Sequence, residues 1–487
     1  MRLIELLNGI ELTQATVLDD VTITGLTADS RTVRPGYLFA AIPGTNLDGR
    51  DYIDAAVRAG AAAVLAPPDV TKDSVTPGVS LITADNPRRS LARIAAAFYG
   101  EKPETIVAVT GTNGKTSVAN FTQQMWNTMG RKAVSLGTLG LIGPGLEVGS
   151  SLTTPDAVAL HRTLHELTED GVQEVALEAS SHGLDQFRLD GVPIRAAAFT
   201  NLTRDHLDYH GSMAEYRRAK MRLFRELLPS GGAIVVNAET PEYPALLELS
   251  RGRGLELFSY GLAKGDIKCR SMNATEDGWS LVLDVLGTEH SVPFPLIGSF
   301  QVGNALAALG LVIACGGEFE KATMALETLE GVPGRMETAA QLPTGARIIV
   351  DYAHTPNALA AVLKAVRPHT AHRLTVVFGC GGDRDRGKRP EMGSIAARLA
   401  DGVVVTDDNP RYEDPGDIRK EISAACPGSL EVAGRYDAIR VAISELAEGD
   451  ILVVAGKGHE TGQILGSETI PFSDVEVVRD CAREIAR

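Results

Sequence analysis

Thr110-Gly111-Thr112-Asn113-Gly114-Lys115-Thr116 follows the apolar run Ile106-Val107-Ala108-Val109 and precedes a stretch with helical spacing at 116–129. A β-strand feeding a glycine-rich turn that ends in Lys-Thr suits phosphate binding. The glycines let main-chain N–H groups approach phosphate oxygens, Lys115 supplies a cation for the β- and γ-phosphates, and the Thr116 hydroxyl suits Mg²⁺. The spacing is shorter than the usual Walker A form, with only Thr112 and Asn113 between Gly111 and Gly114. The strand before and the helix after supply the context such a motif needs.

Working outward, short Val/Ile/Ala-rich runs alternate with longer helical patterns, the signature of an α/β fold around a mostly parallel sheet. Strands are predicted at 105–109, 174–177, 196–199, 233–236, 347–350, 374–378, 402–405 and 451–454. Most are followed by polar clusters: Glu178-Ala179-Ser180-Ser181-His182, Thr200-to-His206, Asp351-Tyr352-Ala353-His354, Gly379-to-Lys388, Asp407-Asp408-Asn409-Pro410-Arg411 and Gly456-Lys457-Gly458-His459-Glu460. Open α/β sheets bind ligands at the carboxyl ends of their strands, so these clusters point to one large cleft. The first hundred residues differ, with shorter strands, Pro-Gly turns at 35–36 and 43–44, and a helix expected at 87–99. Breaks near Glu101-Lys102-Pro103 and Gly331-Val332-Pro333-Gly334 give three domains, at 1–102, 103–334 and 335–487.

The 487 residues carry a formal net charge of −15, which argues against phosphate-backbone binding and hence against a nucleic-acid partner. Five cysteines, widely spaced and odd in number, suit reduced thiols rather than a disulfide framework or a zinc site. The N-terminus lacks a signal-peptide pattern and no apolar stretch is long enough to span a bilayer, so a cytoplasmic protein without membrane insertion is expected.

Together, Thr110-to-Ser117, Ala176-to-Leu184, Thr200-to-His206, Gly298-to-Asn304, Gly334-Arg335-Met336-Glu337 and Val350-to-His354 resemble the Mur ligases, ATP-dependent amide-forming enzymes of peptidoglycan precursor synthesis. The resemblance covers all three regions and implies a UDP-binding α/β domain, a central P-loop ATPase-like parallel sheet and a Rossmann-like C-terminal α/β domain. Asp29-Ser30-Arg31 and Pro35-to-Ala40 match the region that holds the UDP-sugar end of the substrate. The pattern is similar to that of members adding meso-diaminopimelate to UDP-N-acetylmuramoyl-L-alanyl-D-glutamate. Small-molecule substrates, a monomer, ATP and Mg²⁺ follow as expectations.

The resemblance also assigns residues. Gly111, Thr112, Asn113, Gly114, Lys115, Thr116, Ser117, Asn304, Arg335 and Asp351 match nucleotide-contacting positions. Glu178 and His206, with Thr116, match Mg²⁺ ligands, and Lys220 matches a lysine carried as a carbamate, N6-carboxylysine, which would turn a cation into an anionic ligand. Lys115, Glu178, His206 and Lys220 form the implied catalytic set. Ser30, Thr153, Thr154, Ser180, Gln186 and Arg188 match contacts to the UDP-muramoyl-dipeptide. Arg384, Asp408, Asn409, Pro410, Arg411, Gly456 and Glu460 match contacts to diaminopimelate, whose distal carboxylate calls for a guanidinium such as that of Arg411.

Plainer readings stand beside these. Thr153-Thr154-Pro155-Asp156 also reads as a helix start with Thr154 as cap, and Asp85-Asn86-Pro87-Arg88 repeats the tetrapeptide of 408–411 at an expected helix start. His161, His165, His210 and His372 read as surface or helix residues, and Trp126 and Trp279 as packing residues. The competing functions are the same reaction with L-lysine as acceptor, a folylpolyglutamate synthetase-like ligase, and a nucleotide-driven switch.

Overall fold

The computed structural model describes residues 1–18, 20–44, 47–149, 152–275 and 277–485. The phosphate-loop strand is Thr105–Thr110 and the helix after it is Lys115–Thr128. The chain divides into two units. One comprises Met1–Lys115, Gly130–Val236 and Thr240–Phe258; the other comprises Thr116–Met129, Asn237–Glu239 and Ser259–Arg487.

The first unit begins with a sheet ordered Gln14–Thr16, Ser80–Thr83, Ala63–Ala66, Tyr37–Ala40, Gly25–Thr27, parallel except for the first strand. Alternate residues point to opposite faces. Leu38, Leu65 and Ile82 therefore join Leu3, Leu91 and Ile94 in one apolar cluster, while Phe39, Val64 and Leu81 join Ile53 and Ala56 in another. The expected helix is Pro87–Tyr99, with Asn86 capping it by accepting the Arg89 N–H at 3.0 Å. The first Asp-Asn-Pro-Arg copy is thus a helix start.

In the next sheet Ala233–Asn237, Ile194–Phe199, Thr105–Thr110, Glu174–Glu178 and Ala133–Gly137 lie side by side and parallel. Parallel strands buried on both faces read as continuous apolar runs, which is why most of these were legible. The phosphate-loop strand is central: Glu178 pairs with Val109 and Phe199 with Thr110, so the loops after three neighbouring strands emerge along one edge. Gly140–Gly143 and Leu146–Val148 then add antiparallel strands that the apolar runs did not announce.

The helix expected to start at Thr154-Pro155 is Ala157–Glu169, and Asp156 caps it by accepting the Ala159 N–H at 3.0 Å. Thr154 is buried, and its hydroxyl lies 2.7 Å from the Glu178 carbonyl oxygen, so it is engaged across the sheet rather than at the cap.

His161 lies on this helix but is fully buried, with Nε2 2.9 Å from the Asp190 carbonyl and Nδ1 without a partner among the described residues. Burial pushes its pKa down to about 4. The unfolded chain titrates near the ordinary histidine value of about 6.5, so between that pH and about 4 it binds the extra proton. Stability from the neutral ring is complete above the upper value and is lost as pH falls towards the lower one. His161→Gln should flatten the acid decline of the unfolding free energy in urea titrations by up to about 1.4 kcal/mol per pH unit. An unchanged slope would rule out a neutral buried imidazole.

The second unit carries an antiparallel meander, Ile267–Ala274, Trp279–Val285 and Thr288–Phe294, whose interleaved exposed and buried residues hide it from a search for apolar runs. Helix Ser299–Ala314 follows. The last sheet is ordered Glu337–Gln341, Arg347–Asp351, Ile451–Ala455, Leu374–Phe378, Gly402–Val405, Leu430–Glu431, parallel apart from the first strand. Leu359, Leu363, Met392 and Ile418 belong to one apolar cluster of this sheet, and Ile439, Ile443 and Val478 to another. Among the described residues no helix is long and apolar enough to cross a membrane.

Candidate functional site

The phosphate loop is held by the segment that follows the neighbouring strand. The Thr112 hydroxyl accepts the Thr203 N–H at 3.0 Å and lies 3.2 Å from the Tyr216 hydroxyl, while the Asn113 N–H donates to Asn201 Oδ1 at 2.9 Å. Gly111 has φ +151°, and a Cβ there would overlap Thr200 Oγ1, so the close approach requires glycine. Lys115 folds back on its own turn, donating to the carbonyls of Gly111 at 3.1 Å and Thr112 at 2.9 Å. Thr116 and Ser117 are buried in the first turn of the helix.

Lys220, on helix Met213–Arg222, is buried, and its Nζ donates to the Gly111 carbonyl at 2.7 Å. The ammonium also lies 4.5 Å from the centroid of the Tyr216 ring. Burial, aided by the charge of Lys115, holds its pKa well below the ordinary lysine range. Glu178 is buried at its strand end, with Oε1 accepting the Thr138 N–H at 2.7 Å and Oε2 the Thr138 hydroxyl at 3.1 Å. His206 adopts φ +52°, and its ring packs 4.9 Å from that of His182, edge to face. Burial lowers the pKa of His206 and takes that of His182 down to about 4.

Among the described residues no three His, Cys, Asp or Glu side chains are gathered as a metal cage. Mg²⁺ keeps several waters and takes one or two carboxylates plus phosphate oxygens, so the carboxylate to consider is Glu178. Glu178 retains free lone pairs on both oxygens, since each oxygen of an ionised carboxylate accepts more than one donor.

The residues matched to the dipeptide end form one connected chain. Thr153 Oγ1 lies 3.1 Å from Thr138 Oγ1, and Thr154 Oγ1 lies 3.0 Å from Ser180 Oγ. The Ser180 hydroxyl in turn accepts the Gly183 N–H and caps helix Ser181–Asp185. Arg188 donates to the Thr154 carbonyl at 2.6 Å and to Gln186 Oε1 at 2.7 Å, and Gln186 reaches the Tyr209 hydroxyl at 3.2 Å. Ser30 begins the short turn Ser30–Thr32, and its hydroxyl makes no hydrogen bond among the described residues.

In the second unit Asn304 is inside helix Ser299–Ala314, where it donates to Gln301 Oε1 at 2.9 Å. Gln301 reaches the Arg335 carbonyl at 3.3 Å, and the Arg335 guanidinium sits 4.3 Å over the Tyr352 ring. Asp351 is fixed by the N–H groups of Met336 and Ala353, both at 2.8 Å.

The loops after Leu374–Phe378, Gly402–Val405 and Ile451–Ala455 bring the remaining group together. Arg411 donates to the Gly382 carbonyl at 2.9 Å, and no carboxylate pairs with it among the described residues. Arg384 is exposed and likewise unpaired, and a Cβ at Gly381 would lie 2.7 Å from the Arg411 guanidinium and 3.9 Å from Arg384 Cγ. The Asp383 N–H donates to Glu413 at 2.6 Å, and buried Arg389 pairs with Glu413 and Glu421 at 2.9 Å each, so the two arginine-bearing loops are stitched together. Asp408 and Asn409 are buried, as is Pro410, whose carbonyl accepts the Glu413 N–H at 3.1 Å. Gly456 has φ +123°, and a Cβ there would lie 2.7 Å from Asp408 Oδ2. Glu460 Oε2 accepts the Asn409 amide at 3.1 Å.

The family profiles described as Mur ligase family catalytic domain, Mur ligase middle domain and Mur ligase glutamate ligase domain match residues 22–99, 109–312 and 334–458. A UDP-N-acetylmuramoyl-L-alanyl-D-glutamate–2,6-diaminopimelate ligase of Bradyrhizobium diazoefficiens is 51% identical over 94% of each chain. The chain belongs to the Mur ligase family. A solved structure of a ligase with that same substrate name superposes with a TM-score of 0.71 at 33% identity over 96% of each chain. A folylpolyglutamate synthase of Mycobacterium tuberculosis, solved with ADP, shares the fold at 20% identity and a TM-score of 0.63, over 76% of this chain and 91% of its own.

Several features of this Mur ligase were not visible in its sequence. Phe187, His206, Met336, Asp383 and Arg411 all have φ between 52° and 59°, a left-handed conformation costing roughly 1–2 kcal/mol per L-residue. Each is, or adjoins, a residue matched to ligand contact. Thr138, which positions Glu178, and Tyr209, which bonds Gln186 and Asp185, come from segments without a motif. His210 is a helix residue as expected, closing Leu207–His210; it is half-buried and packs 5.2 Å from Tyr216 and 5.5 Å from His182.

Proposed function

We propose that this Mur ligase uses ATP to join meso-diaminopimelate to the D-glutamyl side-chain carboxylate of UDP-N-acetylmuramoyl-L-alanyl-D-glutamate. The observation that carries the reading is Arg411: its guanidinium is anchored by a carbonyl and carries no carboxylate partner among the described residues, and Gly381 leaves room beside both it and the Arg384 side chain. A fixed, unpaired guanidinium fits the distal carboxylate that distinguishes diaminopimelate from lysine. Relatives about half identical to this chain bear the name of that reaction, which supports the same choice.

A carboxylate does not react with an amine unaided. The γ-phosphoryl group passes from ATP to a glutamyl carboxylate oxygen and ADP leaves; the amine then attacks the carbonyl carbon, phosphate departs and the amide remains. Catalysis of this kind is positioning and charge neutralisation. Lys115 is displaced from its own carbonyls onto the phosphates; by resemblance Asn304, Arg335 and Asp351 are further nucleotide contacts. Thr116, Glu178, His206 and a Lys220 carbamate would hold Mg²⁺, which when bound neutralises phosphate charge. A buried amine with one acceptor and a lowered pKa is the kind that attacks CO₂, because only the neutral form is nucleophilic. Thr153, Thr154, Ser180, Gln186 and Arg188 orient the dipeptide, and Ser30 faces the UDP end. The domains end at 102 and 334, and the protein works as a cytoplasmic monomer.

Phosphate release with ATP, Mg²⁺ and UDP-muramoyl-dipeptide tests the reading. The expected result is one phosphate per product with meso-diaminopimelate and little with L-lysine or with a folate and glutamate. Equal or better turnover with lysine would replace the named acceptor.

A further inference from the structure

Lys457 is completely buried in the turn after strand Ile451–Ala455, and although it lies in one of the polar clusters at the strand ends, it has been given no role of its own. Its ammonium donates to Asn409 Oδ1 at 2.9 Å and to Glu460 Oε2 at 3.0 Å. Asn409 Nδ2 donates to the same Glu460 oxygen at 3.1 Å, and the Ile464 N–H donates to Asn409 Oδ1 at 3.0 Å. The three side chains therefore close a ring of hydrogen bonds linking the loops after Gly402–Val405 and Ile451–Ala455.

This ring admits one arrangement. A flipped Asn409 amide would set its NH₂ group against two donors, the ammonium and the Ile464 N–H, and would turn an oxygen towards the Glu460 carboxylate. With Oε2 taken by two donors, Glu460 presents Oε1, which has no hydrogen bond among the described residues, and its side chain is 33% exposed.

We propose that Lys457 is the positioning residue of the amino-acid site, locking Asn409 and Glu460 so that Glu460 Oε1 is held out to the distal ammonium of the acceptor. This rests on reading the site as one for diaminopimelate. Arg411 then reads the distal carboxylate and Glu460 the ammonium on the same carbon, and only the second function passes through Lys457.

L-2-Aminopimelate separates the two, because it keeps the chain and the distal carboxylate but lacks the distal ammonium. Lys457→Met keeps length and apolar bulk while removing the donors. It should raise KM for meso-diaminopimelate by about tenfold or more, the scale of a lost charge-assisted hydrogen bond, and leave KM for ATP and for the UDP-dipeptide within about twofold. The preference for meso-diaminopimelate over L-2-aminopimelate should fall towards unity, with Lys457→Gln intermediate. That preference is a ratio within one sample, so a smaller folded fraction does not move it. An unchanged ratio in both variants, or a uniform fall in kcat with every KM preserved, overturns the proposal. Failure of the unsubstituted protein to use meso-diaminopimelate at all overturns the underlying reading instead.

Discussion

Replacing Lys220 with alanine is expected to lower kcat by roughly 10³-fold, the scale at which removing one electrostatic contact to the transition state is felt. Formate or acetate should restore part of the activity. The side chain is buried beneath the phosphate loop, with its ammonium on the Gly111 carbonyl and over the Tyr216 ring. An ammonium there would repel a divalent cation, whereas a carbamate would place anionic oxygens at the same position. Truncation to alanine opens a space that a small carboxylate can enter, supplying the missing oxygens without the covalent link. Burial also predicts that KM for the amino acid moves little, since Lys220 belongs to the phosphate end of the reaction. Full activity in Lys220→Ala, or complete loss with no response to any small carboxylate, would remove the carbamate.

The parallel strands were legible because both faces are buried: the eight predicted runs recur with ends shifted by two residues or fewer, as in Thr105–Thr110 and Ile451–Ala455. The meander at 267–294 was not, because its exposed positions interrupt the apolar pattern; Ile267–Ala274 buries only its first residue fully. Ala133–Gly137 was missed although wholly buried, since a serine and a glycine dilute five residues too short to show a period. Boundaries failed where a side chain had a better partner elsewhere, as with Thr154, which bonds Glu178 and Ser180 and leaves the cap to Asp156.

The site followed the same division. Motifs carried the residues whose chemistry is local, such as the turn from Gly111 to Lys115. They could not carry groups that matter by placement: Thr138 under Glu178, Tyr209 beside Gln186, or a lysine between two glycines that proves fully buried. The tetrapeptide Asp-Asn-Pro-Arg makes the point within one chain. At 85–88 it caps a helix and Arg88 donates to the Pro43 carbonyl at 2.6 Å; at 408–411 it follows a strand end, Asn409 enters the Lys457 network and Arg411 takes a left-handed φ of 54°.

Arg411→Ala should reduce kcat/KM for meso-diaminopimelate by about 10²-fold, because a carboxylate loses a charged partner whose fork of N–H donors matches its two oxygens. Its anchor on the Gly382 carbonyl is main-chain, and the loop it braces is also held by Glu413 with Asp383 and Arg389, so the truncation removes a charge without unpinning the loop. KM for ATP should stay within about twofold, as expected for a residue that meets only the acceptor. L-Lysine lacks the distal carboxylate and should be used as poorly by the variant as by the unsubstituted enzyme. The decisive quantity is therefore the ratio of kcat/KM for meso-diaminopimelate to that for L-lysine, measured by phosphate release in both proteins. The expected result is a strong preference for diaminopimelate that collapses by about two orders of magnitude in Arg411→Ala; an unchanged ratio, or a native preference for lysine, would contradict it.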